Sequence, residues 1–449
     1  MHEHMYDHRK LGRELQIFDT DPLIGAGLPY WLPAGAAVRH ALEEYIRELE
    51  RLAGYQHVYS PVLGKRELYE LSGHWEHYRD GMFPAMAVSA GHGGELDPEQ
   101  DPGQASGQGS DQDSGQVVLR PSLCPHHALM FRSRSHSYRE LPLRLAELGG
   151  QYRSELSGVL GGLSRVRAMQ LNDAHIFCTP DQVEVEAAAA LRMISQAYQA
   201  LGIEPQRYRL SLAGPGQKYV GSRAMWSRAE AILTDLLTSS GVNYEAEAGE
   251  AAFYGPKIDV QVADSSEREA TLSTIQVDFY QPERFGLDYI GPDGGRHRPV
   301  MVHRSIVGSL ERAVGHLIDV HGGALPAWLA PVHLVVLPVT DAEWPHAERV
   351  ARQALECGLR AEVAGAQNGS LGARIRSHRP VPYQAVVGPA EAAAGEVSVR
   401  LRNGEKLPAQ PVGAALAEIG AGCAAPVLSA RGGRGAGCQA VSSGAGPSR

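Results

Sequence analysis

A chain of 449 residues, 43% of them hydrophobic, is long enough for two or three domains with sizeable cores. Its net charge of -9 excludes nucleic-acid binding through overall charge, so any RNA contact requires a local basic patch. The charged N-terminal stretch MHEHMYDHRKLGRELQIF predicts no signal peptide, and no apolar run approaches the ~18 residues that a membrane span needs. Five dispersed cysteines without a CxxC pair argue against a disulfide framework and predict a cytoplasmic protein. The lack of a long apolar run predicts that it does not associate with a membrane.

Helix and strand signals occupy the first part of the chain. In VRHALEEYIRELERLAG the apolar residues from Val38 to Ala53 recur at helical spacing and Gly54 follows them, which predicts a helix ending at this glycine. The next segment, YQHVYSPVL, predicts a strand. Residues 88–117 consist mainly of Gly, Gln, Ser and Asp, so we predict a disordered insertion there.

A second domain is predicted after the linker-like segment GALPAWLAPVH, which covers residues 323–333. The segments VHLVVLPV, HAERVARQALECG and LRAEVAG then alternate strand, helix and strand, a pattern typical of an α/β domain. From about Gly422 onward the chain is poor in hydrophobic residues and is predicted to be a disordered tail.

The segment LCPHHALMF places Cys124 close to His126 and His127. Cysteine and histidine are ligands that zinc prefers, which favours a metal site. One cysteine beside two histidines is nevertheless more often ordinary packing or chance than a ligand set. The segment alone therefore leaves both interpretations open.

A predicted strand, RVRAMQLNDAHIFC, carries an unusual set of side chains. At a period of two, the residues that share one face are Arg165, Arg167, Met169, Leu171, Asp173 and His175. Two cations, an acid and an imidazole on one face suit ligand binding. A solvated face opposite a core side, made of Val166, Ala168, Ala174 and Ile176, explains the pattern equally well. The strand by itself does not distinguish these interpretations.

Several longer segments, spread over roughly residues 5–420, form an ordered set. They are DHRKLGREL, SGHWEHYRDGMF, YRELPLRLAELG, YRSELSG, DAHIFCT, AFYGPKIDV, MVHRSIVGSLER and WLAPV. This set resembles the threonyl-tRNA synthetases, a family of class II aminoacyl-tRNA synthetases. Because the segments occur in the family's order, a chance resemblance is negligible.

The resemblance implies a two-domain architecture. Residues 1–322 are expected to form an α+β catalytic domain, with an antiparallel class II sheet flanked by helices, and residues 323–421 an α/β anticodon-binding-like domain. Residues 422–449 would be a disordered tail. The resemblance also implies a short form that lacks the family's N-terminal editing regions, and a homodimer formed through the Val38–Gly54 helix and the strand ending at Pro61.

The implied enzyme is an ATP-dependent aminoacyl-tRNA ligase of the threonine–tRNA ligase type. It would activate threonine, or a close β-hydroxy amino acid, as an adenylate and transfer it to tRNA. Arg153 and Glu155 match the second class II motif, and Arg312 matches the third. Attack of a carboxylate on the α-phosphate of ATP builds negative charge at phosphorus, which fixed guanidinium groups and Mg²⁺ bound with ATP stabilise.

The resemblance also implies a zinc site, whose ligands in this sequence are Cys124, His175 and His303. Three protein ligands leave zinc open to the amino and hydroxyl groups of the substrate. Coordination of the hydroxyl would reject valine, which a hydrophobic pocket alone separates from threonine by only about 1–3 kcal/mol. Asp173 is expected to accept a hydrogen bond from the same hydroxyl.

Further pocket residues follow from the resemblance. Tyr254 is expected to line the pocket, Lys257 to contact phosphate, and Gln276 to lie near the substrate. Met169 stands where the family has a Phe that stacks on adenine, and Leu171 replaces a pocket Gln. The sulfur of Met169 can still pack on a purine, but Leu171 cannot replace the hydrogen bonds of a carboxamide.

The segment AQNGSLGARIRSH in the second domain retains Arg376 of the family's anticodon motif. Gly369, however, replaces a Glu that helps to read an anticodon base. Loss of one such base contact costs about 1–3 kcal/mol of discrimination, which argues against full anticodon reading.

Two other functions remain open. A specialised synthetase paralogue could serve inhibitor self-resistance or supply an activated amino acid to a biosynthetic acceptor, as the changes at Met169, Leu171 and Gly369 suggest. A non-catalytic regulatory paralogue is the third hypothesis. Retention of the arginines and of the metal ligands argues against it.

Overall fold

The structure, a computed structural model, describes residues 6–88, 115–215, 219–264 and 267–426. Most of the predicted insertion at 88–117 and of the predicted tail at 422–449 lies outside these ranges. Gln116 and Val117 belong to a strand, so the predicted insertion extended two residues too far. Gly422 is still the last residue of a helix.

Helices and strands alternate through the described residues. The helices are α1 (His8–Glu14), α2 (Pro33–Leu52), α3 (Arg66–Leu71), α4 (His74–His77), α5 (Cys124–Arg132), α6 (Val183–Leu201), α7 (Arg223–Ser239), α8 (Tyr280–Arg284), α9 (Leu310–His321), α10 (Trp344–Glu356), α11 (Leu371–Ser377), α12 (Pro389–Ala394) and α13 (Val412–Gly422). The strands are β1 (Phe18–Asp19), β2 (Tyr30–Trp31), β3 (Gln56–His57), β4 (Leu63–Lys65), β5 (Met86–Ala87), β6 (Gln116–Leu119), β7 (Leu143–Tyr152), β8 (Ala168–Cys178), β9 (Arg207–Leu212), β10 (Tyr244–Ala248), β11 (Lys257–Ala263), β12 (Glu269–Asp278), β13 (Tyr289–Ile290), β14 (Arg296–His297), β15 (Val300–Ser305), β16 (Leu334–Pro338), β17 (Ala361–Val363), β18 (Tyr383–Val387), β19 (Glu396–Leu401) and β20 (Gln410–Pro411).

Helix α2 confirms the helix predicted near Val38 and extends it toward the N-terminus. Pro33 occupies its first turn, where a missing backbone N–H costs nothing. Val38 and Leu42 are fully buried, as the helical spacing requires. The segment predicted as the strand YQHVYSPVL is only partly paired: Gln56 and His57 form β3, and Leu63 begins β4.

An eight-stranded sheet forms the centre of the first part of the chain, in the order β10-β9-β11-β12-β15-β8-β7-β3. Its inner pairs are antiparallel, and only the edge strands β10 and β3 pair in parallel. Helices α2, α6, α7 and α9 pack on one face, where Ala174 and Ile176 of β8 join the main core. Phe177 faces the other side and packs with α5. The alternation predicted for this strand is therefore correct.

A second sheet follows, in the order β17-β16-β18-β19-β20. Strand β16 is parallel to both of its neighbours, and α10 and α13 pack with this sheet in a separate core. The two sheets confirm the predicted fold class, an antiparallel α+β unit followed by an α/β unit. Within the described ranges, no helix has both the length and the apolar character needed to cross a bilayer.

Candidate active site

Three metal-ligand side chains from distant parts of the chain meet on the sheet face that α5 covers. Cys124 is the first residue of α5, His175 lies on β8, and His303 lies on β15. The strand register pairs His175 directly with His303. All three residues are buried, and the ligand atoms they offer lie within 4.8 Å of one another. The structure thus brings together the three residues that the resemblance selected.

Hydrogen bonds determine which ring nitrogen of His303 is left for the cluster. Its Nε2 lies 2.8 Å from Oδ2 of Asp278. The other oxygen of that carboxylate accepts hydrogen bonds from the backbone N–H groups of Tyr280 and Gln281. Because a carboxylate only accepts, His303 donates from Nε2, which leaves Nδ1 as the nitrogen that carries the lone pair when the ring is neutral. This nitrogen is therefore the one available to a metal.

The buried environment keeps the thiol of Cys124 and the imidazole of His175 uncharged. Burial lowers the pKa of His175 well below its ordinary value, and the nearby His303 acts in the same direction. Burial also raises the pKa of the Cys124 thiol, although a hydrogen bond with Ser122 opposes this. A bound cation would displace the thiol proton, because metals bind the thiolate. One cysteine and two histidines suit zinc with an open coordination position.

His74 lies beside this cluster, although the sequence analysis predicted no role for this residue. Its Nε2 is 3.0 Å from Oγ of Ser122 and 3.9 Å from Sγ of Cys124. Burial lowers the pKa of His74 to about 3, so the imidazole is neutral. The signal available was its place in the segment SGHWEHYRDGMF. No local spacing connects it to Cys124, because 50 positions separate the two residues.

Asp173 borders the cluster on the same strand face as His175. One of its oxygens lies 4.0 Å from Nε2 of His175, and the other accepts a long hydrogen bond of 3.4 Å from Gln151. Burial raises the pKa of Asp173. Leu171 and Met169 precede it on this face; both are half-buried and bring no strong hydrogen-bonding group.

Tyr254 and Gln276 also meet next to the cluster. The Tyr254 hydroxyl donates to Oε1 of Gln276 at 2.6 Å, and its ring stacks on His303 with centroids 5.1 Å apart. Lys257, the predicted phosphate contact, forms an ion pair on its own strand. Its Nζ lies 2.8 Å from a carboxylate oxygen of Asp259.

Guanidinium groups gather where the segment after β7 approaches the start of α9. Arg312 donates to the backbone carbonyl of Thr271 at 2.7 Å. Burial lowers the pKa of Arg312, and the charges of Arg153 and Arg165 lower it further. Glu155 opposes this effect and pairs with Arg165 at 2.8 Å. Three cations facing one carboxylate favour an anionic ligand such as a phosphate.

In the second domain, the two arginines of α11 differ in their exposure to solvent. Arg376, the predicted anticodon contact, is exposed. Arg374 is buried and donates to the backbone carbonyls of Pro338 and Ala364 at 2.7 and 2.8 Å, a structural role. Gly369 adopts a φ of 111°, which only glycine reaches readily. A Glu at this position would be strained in this backbone.

Comparisons with known proteins agree with this geometry. Residues 108–321 match the tRNA synthetase class II core domain (G, H, P, S and T), and residues 333–419 match the anticodon binding domain. The chain is 47% identical over 399 residues to threonine–tRNA ligase 1 of Bacillus subtilis, which covers 88% of this chain and 58% of that protein. It is 46% identical over 405 residues to the threonine–tRNA ligase of Geobacillus kaustophilus, covering 89% and 58%. The chain thus spans less than two thirds of the length of these curated relatives.

Solved structures give the same result. A crystal structure described as the RNA binding domain of threonyl-tRNA synthetase from Cryptosporidium parvum superposes with a TM-score of 0.82 at 32% identity, covering 92% of this chain and 98% of that one. Giardia lamblia prolyl-tRNA synthetase in complex with prolyl-adenylate has a TM-score of 0.67 at 16% identity, covering 91% and 73%. The latter shares the fold alone.

Proposed function

Because the chain belongs to the threonyl-tRNA synthetase family of class II aminoacyl-tRNA synthetases, we propose that it activates threonine with ATP and transfers the threonyl group to tRNA. One observation carries this proposal. The convergence of Cys124, His175 and His303 beside Asp173 would supply amino-acid recognition, and the charge of Arg153, one of the arginines suited to phosphate, acts on His74 beside this cluster.

We assign zinc to the three-residue cluster, because one cysteine and two histidines with ligand atoms within 4.8 Å of one another fit this cation. When bound, zinc would offer open positions to the amino and hydroxyl groups of threonine and so exclude valine. Asp173 would accept a hydrogen bond from the hydroxyl. Tyr254, held by Gln276, would close the pocket against water.

The adenylation step would depend on the arginines. Arg153 and Arg312 would bind the phosphates of ATP, which arrives with Mg²⁺, and hold the α-phosphate in line with the threonine carboxylate. Glu155 would orient Arg165 beside them. Lys257 would have to leave Asp259 to reach a phosphate, so we assign these contacts to the arginines. Met169 would pack against adenine through its sulfur.

The remaining expectations form part of the same proposal. We place the boundary between the catalytic and anticodon-binding-like domains at 322/323, between α9 and β16. A cytoplasmic homodimer would form through α2 and β3, since β3 lies at the edge of the eight-stranded sheet. Arg376 would contact tRNA, but the domain would discriminate only weakly between anticodon bases, because Gly369 brings no carboxylate.

A specialised paralogue is the second candidate. Leu171 lies on the same strand face as Asp173 and lacks a carboxamide, which supports an altered pocket. Such an enzyme would tolerate an inhibitor or supply another activated amino acid to a biosynthetic acceptor.

Amino-acid-dependent exchange between ATP and pyrophosphate tests both candidates. The zinc-loaded 449-residue chain would be assayed with threonine, serine, other β-hydroxy amino acids and valine, followed by charging of tRNA. Strong exchange with threonine and charging of threonine tRNA are the expected results. Exchange with another amino acid alone would support the specialised paralogue. No exchange from a folded, zinc-loaded protein would reject the enzyme proposal in favour of a regulatory paralogue.

A further inference from the structure

A chain of buried hydrogen bonds leads from the metal cluster into the sheet. Nδ1 of His175 lies 2.8 Å from Nδ1 of His127, and Nε2 of His127 lies 3.2 Å from Oε2 of Glu147. These three residues are between 0 and 3% exposed. His127 belongs to α5, one turn after Cys124, so α5 contributes both a ligand and a neighbour of a ligand.

Glu147, at the far end of this series of hydrogen bonds, is held by further partners. Glu147 accepts a hydrogen bond of 2.6 Å from the Ser60 hydroxyl and one of 3.1 Å from Arg120. Burial opposes ionisation of Glu147, but the hydrogen bonds from His127 and Ser60 and the charge of Arg120 outweigh it and lower its pKa to about 2. Arg120 is itself held by the backbone carbonyl of Gly150 at 2.6 Å. Glu147 is therefore a rigid carboxylate.

The direction of the hydrogen bonds follows from the acceptor at this end. A carboxylate only accepts, so His127 donates from Nε2. A neutral imidazole has one donor and one acceptor, which makes Nδ1 of His127 the acceptor and Nδ1–H of His175 the donor. The lone pair of His175 is then on Nε2, the nitrogen left for the cluster.

We propose that His127, held by Glu147, is a positioning residue that fixes His175 in the tautomer able to bind the metal through Nε2. The inference rests on the proposed zinc site and adds residues that do not touch the metal. Such outer hydrogen-bond partners orient the ring of a ligating histidine and raise its basicity, and their loss lowers metal affinity about 10–100-fold.

Zinc affinity, measured by competition with a chelator on the full-length chain, tests this inference. We expect His127→Phe to weaken zinc binding about 10–100-fold, because it keeps the ring and removes both nitrogens. His127→Asn should recover part of the affinity, since its carboxamide oxygen can accept from His175. His126→Phe is the matched control, because His126 is also buried on α5 but lies beside the Tyr69 ring, with centroids 6.4 Å apart.

The outcomes separate this inference from the proposed function. Absence of zinc binding by the unaltered chain would reject the zinc site and, with it, this inference. Equal zinc affinity of the unaltered chain and a folded His127→Phe would overturn the positioning role alone.

A second measurement needs no variant and covers the case in which His127→Phe does not fold. Nitrogen-15 spectra of histidine-labelled, metal-free protein report the tautomer of His175 directly. Protonation at Nδ1 is expected, and protonation at Nε2 would overturn the inference.

Discussion

Arg304 of β15 donates a hydrogen bond of 2.7 Å to Oε1 of Glu50 on α2, and both side chains are at most 1% exposed. Glu50 also accepts from Asn172 of β8 at 2.8 Å, so one carboxylate joins a helix to two neighbouring strands of the site. Burial disfavours the charged form of Glu50, but Arg304 and the other partners outweigh it and lower its pKa.

Glu50→Gln should reduce the free energy of unfolding by about 3–5 kcal/mol, because Arg304 would remain buried without its counter-charge. Urea denaturation measures this change. The control is Glu70→Gln on α3, which breaks an exposed pair with Arg66 and should cost less than about 1 kcal/mol. Equal effects of the two substitutions would contradict the assignment of Glu50 to the core of the fold.

Removal of zinc should abolish threonine-dependent exchange while leaving the fold intact, and added zinc should restore it. Cys124→Ser should lose bound zinc and lower kcat/KM for threonine by more than about 100-fold, beyond the effect expected for an outer partner. Metal content and exchange kinetics measure this. Cys178→Ala, which alters a buried thiol on the opposite face of β8, should keep its zinc; loss of zinc there too would point to a general folding defect.

Arg312→Lys should lower kcat/KM for ATP in the exchange assay by about 100-fold or more. Lysine lacks the planar fork with which Arg312 can hold the Thr271 carbonyl and a phosphate together. Arg296→Lys serves as a control, because Arg296 forms an exposed pair with Asp288. An unchanged value for Arg312→Lys would remove this residue from the adenylation step.

The environment of Glu311 leads us to expect that the free energy of unfolding depends on pH. Glu311 is buried at the start of α9 and accepts from the backbone N–H of Gln170 at 3.0 Å, and burial raises its pKa to about 7. Because the pKa of Glu311 is raised in the folded state, its protonated carboxyl contributes fully to the free energy of unfolding below the unfolded-state pKa near 4.3. This contribution is lost as the pH rises through about 7.

Glu311→Gln should therefore nearly match the unaltered chain at pH 4.5 and exceed its free energy of unfolding by about 3–4 kcal/mol at pH 8. Unfolding curves at the two pH values measure this difference. Glu348→Gln, an exposed change on α10, should show no such pH dependence. A constant difference across the two pH values would refute the titration of Glu311.

Gly369→Ala should lower the free energy of unfolding by about 1–3 kcal/mol, because a φ of 111° suits glycine alone. The space around this position is open, with Ala373 at 3.8 Å from the added methyl carbon, so the cost arises from the backbone. Gly372→Ala inside α11 should instead raise stability by about 0.5–1 kcal/mol. The two changes should therefore have opposite signs in thermal unfolding.

The sequence by itself determined the family, the order of the two domains and the identity of the three metal-ligand candidates. The helical spacing around Val38 and the alternation of β8 reflect which side chains are buried, so the local sequence pattern predicted both elements. The resemblance supplied Cys124, His175 and His303, although nothing local connects these residues.

Only the tertiary structure decided how those groups are held. The pairing of His175 with His303 depends on strand register, and the contact between His127 and Glu147 joins a helix to a strand. Such contacts depend on chain segments that meet after folding, because register and helix packing set which polar groups share a buried space.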